Sequence, residues 1–126
     1  MILLDTHVIY WFFTEDEKLP LKLRQQIETE AEVCVSIVSF WEMAIKSSIG
    51  KMELPAPISV MIAACEKMDF QILPITALHL ERIKDLPPVH GDPFDRLLIC
   101  QAQEGKMSFM TKDENIPKYD VDAFWV

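Results

Sequence analysis

Four acids spread along the chain, Asp5, Glu42, Asp95 and Asp113, are the residues whose types and placement could do chemistry. Asp5 ends the apolar run Met1–Leu4, which has the composition of a strand buried on both faces. Asp113 follows Met107–Met110 after Thr111-Lys112. Glu42 falls in the first turn of a helix expected after the short strand Val33-Cys34-Val35. Asp95 falls in the first turn of another helix, opening at Pro93. Ligands of open parallel sheets gather at the carboxyl ends of the strands, so all four acids are expected at one edge. Carboxylates that close together repel unless a cation sits among them. Hard divalent ions of the magnesium class take such oxygen ligands, and in that setting they activate water and orient a phosphodiester. The chain has 3 glycines and no glycine-rich phosphate loop, so hydrolysis is favoured over nucleotide-dependent transfer.

Each acid also has a plainer reading. Asp5-Thr6 can cap a helix through Val8–Phe13, and Glu42 can be the reciprocal partner of Ser39 in a capping box. Asp92, just before Pro93, reads first as a helix cap. Asp95 suits the positive end of a helix dipole, and Asp113 stands in an ordinary polar turn. The site is therefore a property of the set. Asp92, Thr6 and Thr111 are expected to cap helices or support the acids. Arg96, Lys112 and Lys46 are candidate phosphate contacts, with plain solvated charge as the alternative. His7 reads as a capping or solvent-side residue, His90 as a loop residue or phosphate contact, and His79 as a surface position. Trp41 suits packing better than base stacking.

The elements that must position these residues follow from pattern. Leu21–Ala31 is amphipathic. The spacing predicts a helix over Phe40–Ile49, capped by Ser39 and ended at Gly50. Pro55 and Pro57 open a further helix. Phe70–Leu73 is an expected strand, Thr76–Lys84 a helix, and Pro93–Gly105 another, before the strand Met107–Met110. Ala123–Val126 is a candidate fifth strand. Strands alternating with helices imply an α/β sandwich with a mainly parallel sheet.

Composition bounds the rest. The chain has 126 residues, of which 50% are apolar and 25% charged, so one globular domain over residues 1–126 is expected. Cys34, Cys65 and Cys100 lie in apolar settings without metal-ligand spacing and read as buried thiols. There is no run long enough for a membrane span and no signal-peptide pattern at the start, so a cytoplasmic location is expected. The net charge of -8 argues against nonspecific polyanion binding and fits a partner with a basic segment. The aromatic run Trp11-Phe12-Phe13 is part core and part candidate interface.

The same residues carry a resemblance. Leu3-Leu4-Asp5-Thr6-His7, Ser39-Phe40-Trp41-Glu42-Met43-Ala44-Ile45-Lys46, the segment His90 to Ile99 followed by Gln101-Ala102, and Thr111-Lys112-Asp113 occur in one order across nearly the whole chain. In these motifs it resembles the PIN-domain nucleases, and among them the VapC-type toxins of toxin–antitoxin pairs. That resemblance implies a PIN-like three-layer sandwich whose central sheet has about four or five strands. It also implies an endoribonuclease dependent on Mg2+ or Mn2+, a cognate antitoxin, a homodimer and RNA as substrate. Asp5, Glu42 and Asp95 would be the central ligands and Asp113 the fourth acid. The rival readings are a PIN-like binding module without catalysis and a small-molecule phosphohydrolase of another α/β fold. Gly91 departs from the family's frequent basic residue and Cys100 from its usual alanine.

Overall fold

In the computed structural model, residues 1–125 are described. Five short strands set the site: β1 (Ile2–Leu4), β2 (Val33–Ser36), β3 (Gln71–Leu73), β4 (Ser108–Met110) and β5 (Asp122–Phe124). They pair side by side in the order β3-β2-β1-β4-β5, and each pairing is parallel. The central strands β1 and β2 are buried along their whole length, which is why their sequences read as unbroken apolar runs rather than as alternations.

Six helices connect and cover the sheet: α1 (Thr6–Thr14), α2 (Leu21–Thr29), α3 (Ile37–Ser48), α4 (Ile58–Lys67), α5 (Ala77–Asp85) and α6 (Pro93–Gly105). Side chains that alternate along the strands divide the interior into two cores. Ile2, Leu4, Val33, Val35 and Met110 pack with Val8, Ile9, Phe12, Ile27, Met43 and Met61 on one face. Leu3, Cys34 and Phe109 pack with Leu97, Leu98, Cys100 and Ile116 on the other. The result is the expected three-layer α/β sandwich, with the upper end of the forecast strand number.

Three local expectations are corrected. Helix α3 starts at Ile37 rather than Phe40, because Ser36 at the end of β2 is already its cap, its Oγ accepting from the Val38 N–H at 3.0 Å. Ile37 and Val38 are β-branched and read as strand, yet the cap turns them into the first helical turn. Ser39 therefore lies inside the helix and forms no capping box with Glu42. His79 is buried rather than on the surface: its Nδ1 accepts from the Thr76 N–H at 3.0 Å, completing a capping box at the start of α5. The fifth strand covers Asp122–Phe124, starting one residue earlier than expected and ending before Trp125, and Val126 lies outside the described residues. Gly50 follows α3 with φ +73, the left-handed conformation its position requires.

Candidate active site

Asp5 is placed by the register of the sheet. Its backbone N–H donates to the carbonyl of Met110 at 3.0 Å, tying the ends of β1 and β4 together. Both carboxylate oxygens are held: Oδ1 accepts from the Thr6 N–H at 2.7 Å and Oδ2 from the Thr111 hydroxyl at 2.6 Å. Thr111 in turn accepts from the Asp113 N–H at 3.0 Å. One threonine just past β4 thus links two of the acids.

Glu42 is placed by helix packing. The Thr6 hydroxyl donates to Ser39 Oγ at 2.9 Å, which pins α3 against the start of α1. Three residues further on, Glu42 points into the same space and is only 2% exposed. Its Oε2 lies 2.6 Å from Lys46 Nζ, while Oε1 is buried without a hydrogen-bond partner.

The remaining acids come from local turns. Asp92 caps α6, its Oδ1 accepting from the N–H groups of Phe94 and Asp95 at 2.8 and 3.3 Å; Asp95 therefore stands in the first turn, facing the pocket. Asp113 accepts from the Asn115 N–H at 2.9 Å through Oδ1. Its Oδ2 lies 2.6 Å from His90 Nε2, which is also 3.2 Å from Asp95 Oδ2.

All five acids, Asp5, Glu42, Asp92, Asp95 and Asp113, line one cleft of about 320 Å³. His7, Val8, Trp11, Lys46 and Lys112 complete its walls. Two larger hollows, of about 400 and 510 Å³, lie over Arg82 and Gln103. Neither touches the acids.

The electrostatics follow from crowding. Burial, then the charges of Asp5, Asp92, Glu42 and Asp113, push the Asp95 carboxyl up to about 8. Burial also raises Asp5, against the hydrogen bonds from Thr111 and Thr6 and the nearby His7 that favour its charged form. Burial alone would lower Lys46, but the hydrogen bond and charge of Glu42, with Asp92 and Asp95, outweigh it and raise its pKa. Buried oxygens are almost always paired, so the orphaned Glu42 Oε1 marks a missing donor or cation. A hard divalent ion would supply what this oxygen-rich site lacks. The residues present fit one.

The basic residues separate. Lys46 and Lys112 stand at the cleft, Lys112 with its Nζ 5.0 Å from the centre of the Trp125 ring. Arg96 does not fit the expected phosphate contact: its guanidinium donates to the carbonyls of Leu86, Ile83 and His90 at 3.1, 3.4 and 3.5 Å. It ties the loop before α6 to the end of α5. Trp41 packs edge-on against Phe94, ring centres 4.7 Å apart. Phe12 belongs to the core, and Trp11 and Phe13 pack against it, so the aromatic run is mainly structural. His90 is the site residue that sequence reasoning undervalued. Its spacing two residues before a helix-capping Asp was the available signal.

The family assignment follows from this geometry and the comparisons together. The sequence pattern of the PIN domain matches residues 2–122, so the chain belongs to the PIN domain family. It is similar to Ribonuclease VapC22 of Mycobacterium tuberculosis, 29% identical over 117 residues that cover 91% of this chain and 88% of that one. Among solved structures, VapBC2 from Rickettsia felis bound to a DNA fragment from their promoter superposes with a TM-score of 0.72 at 11% identity, covering 98% and 97% of the two chains. A toxin-antitoxin complex from Klebsiella pneumoniae gives 0.68 at 16%, covering 98% and 95%. FitAcB from Neisseria gonorrhoeae gives 0.65 at 22%, covering 98% and 96%. The structural likenesses establish the fold.

Proposed function

We propose that this chain, working as one PIN domain, is a metal-dependent endoribonuclease and the toxin of a toxin–antitoxin pair. The observation that carries the reading is the convergence of Asp5, Glu42, Asp95 and Asp113 on one cleft, with a buried Glu42 oxygen left unpaired. Similarity to a ribonuclease and to toxin–antitoxin structures supports the substrate class and the antitoxin partner.

Asp5, Glu42 and Asp95 would hold Mg2+ or Mn2+, with Asp113 as the fourth acid. When bound, such an ion lowers the pKa of water and offsets charge on the phosphate. The chain's own residues do the rest. Thr111 and the Thr6 N–H keep the Asp5 oxygens aimed into the cleft, and Lys46 steadies Glu42. Lys112, on the wall beside Asp113, offers an ammonium to an incoming phosphate, while the paired rings of Trp11 and His7 give a base an aromatic wall. A cleft that joins both cations to the acids answers the objection raised by the net charge of -8.

That acidity also suits an antitoxin segment rich in basic residues. Trp41 and Ile45 on α3 and Ile49 just past its end, exposed at helical spacing, form an apolar stripe that supports homodimer formation. Among the described residues no helix is long and apolar enough to cross a membrane, which is compatible with the cytoplasmic location we assign. The binding-module alternative has no observation in its favour, since the acid set is complete.

The test is cleavage of a structured RNA by the purified chain in Mg2+, in a metal chelator, and with Glu42→Gln. Cutting in Mg2+ by the unaltered chain alone is expected. Cutting that persists in the chelator or in Glu42→Gln would sink the reading.

A further inference from the structure

His90 lies in the loop before α6 and is held from several directions. The Asp92 N–H donates to Nδ1 of its ring at 3.1 Å. Its backbone N–H donates to the Tyr119 hydroxyl at 2.7 Å, and that hydroxyl donates to the Pro87 carbonyl at 2.7 Å. On the cleft side, Nε2 lies 2.6 Å from Asp113 Oδ2 and 3.2 Å from Asp95 Oδ2. The side chain is 12% exposed.

The contact with Asp92 decides which nitrogen is bare. A backbone N–H needs a lone pair to point at, so Nδ1 is the acceptor and Nε2 carries the hydrogen in the neutral ring. Nε2 then donates to Asp113 Oδ2, with Asp95 Oδ2 standing close by at 3.2 Å. To ligate a cation, Nε2 would have to pass its hydrogen to Nδ1, setting two N–H groups head to head. The backbone at Asp92 therefore keeps His90 a donor and disfavours it as a ligand. Two-ion sites place their cations roughly 3.5–4 Å apart around shared oxygens. Asp95 and Asp113 are the acids that would share the outer ion, and the imidazole Nε2 already stands within 3.2 and 2.6 Å of their oxygens.

We infer that His90 is a positioning residue whose Nε2–H holds Asp113 and stands against Asp95 in the place of a second cation, so that the cleft binds a single ion on its Asp5–Glu42–Asp95 side. The inference rests on the metal-dependent reading above and adds the number of ions and the device that limits it.

Titration of the metal-free chain with Mn2+, with bound ions counted by electron paramagnetic resonance and calorimetry, tests it. One Mn2+ per chain is expected for the unaltered protein and for His90→Gln, whose amide N–H can replace the Nε2–H. His90→Ala should bind two. Two ions in the unaltered protein, or the same count in His90→Ala, overturns the inference and leaves the metal-dependent reading standing. No bound ion at all overturns that reading and the inference with it. Imidazole 15N spectra of the unaltered protein give an answer that no folding defect can blur. The hydrogen is expected to stay on Nε2 when Mg2+ saturates the site; its transfer to Nδ1 would mark His90 as a ligand and refute the assignment.

Discussion

The cleft has a deep side and an outer side, built from different kinds of structure. On the deep side, Asp5, Thr6, Ser39, Glu42 and Thr111 come from the ends of β1 and β4 and from α1 and α3, and none is more than 6% exposed. On the outer side, Asp95, Asp113 and His90 come from a helix start and two turns, with side chains 15, 27 and 12% exposed. Sheet register and helix packing hold the first group, whereas each member of the second is set by a turn whose bonds reach only two or three residues along the chain. A dense interior has few alternative arrangements, so the deep side defines where charge is balanced. The outer side closes over it.

Substitutions can break this comparison. Asp5→Asn should lower kcat/KM on RNA in Mg2+ by on the order of 10²–10³, the range for losing a placed electrostatic group. Asp113→Asn should cost less, and equal losses would erase the distinction between the sides. Thr111→Val removes the hydrogen bond to Asp5 while leaving every acid in place. Calorimetry should find Mg2+ affinity reduced by roughly 10–100-fold, as for other groups that orient a ligand.

Arg96→Ala probes the support beneath the outer side. With its bonds to Leu86, Ile83 and His90 lost, urea unfolding should show about 1.5–3 kcal/mol less stability, the range for hydrogen bonds from a charged group. A loss of RNA affinity without a loss of stability would instead return Arg96 to the substrate. The pH dependence sharpens the electrostatic side of the comparison. Asp95 titrates near 3.8 when unfolded and at about 8 when folded, so between these values the folded state holds more protons. Its contribution to stability is full below pH 3.8 and is lost as pH rises through about 8. Metal-free melts should follow that slope, and both Asp95→Asn and saturating Mg2+ should flatten it. Lys112→Ala should have the smallest effect: RNA binding a few-fold weaker, with the log–log salt slope reduced by about 0.7, the value for one single-strand phosphate contact.

Much of this was readable from the chain, and the exceptions have physical causes. The buried strands announce themselves because a strand covered on both faces has no polar alternation to confuse. Asp92 and Pro93 mark the start of α6 because capping is a local hydrogen bond. Ser36 does not stand out as the cap of α3, since Ile37 and Val38 after it carry strand-forming side chains. His79 and His90 were misjudged for a different reason: a ring nitrogen takes its role from the group that faces it. His90 faces Asp113, 23 residues away. Arg96 looked like a phosphate contact from its acidic neighbours in sequence, but its guanidinium points the other way, to carbonyls 6 to 13 residues earlier.

The sequence by itself determined the alternation of strands and helices, the acids at strand ends and helix starts, and the family to which they belong. These are consequences of local periodicity and local hydrogen bonding, which neighbouring residues settle among themselves. Only the tertiary structure decided which oxygens are held and which is left bare, which cation faces the cleft, and what His90 donates to. Those outcomes turn on contacts such as His90 with Asp113 and Thr111 with Asp5, across 23 and 106 residues, and in a buried site the free energy of a charge is set by whatever stands against it.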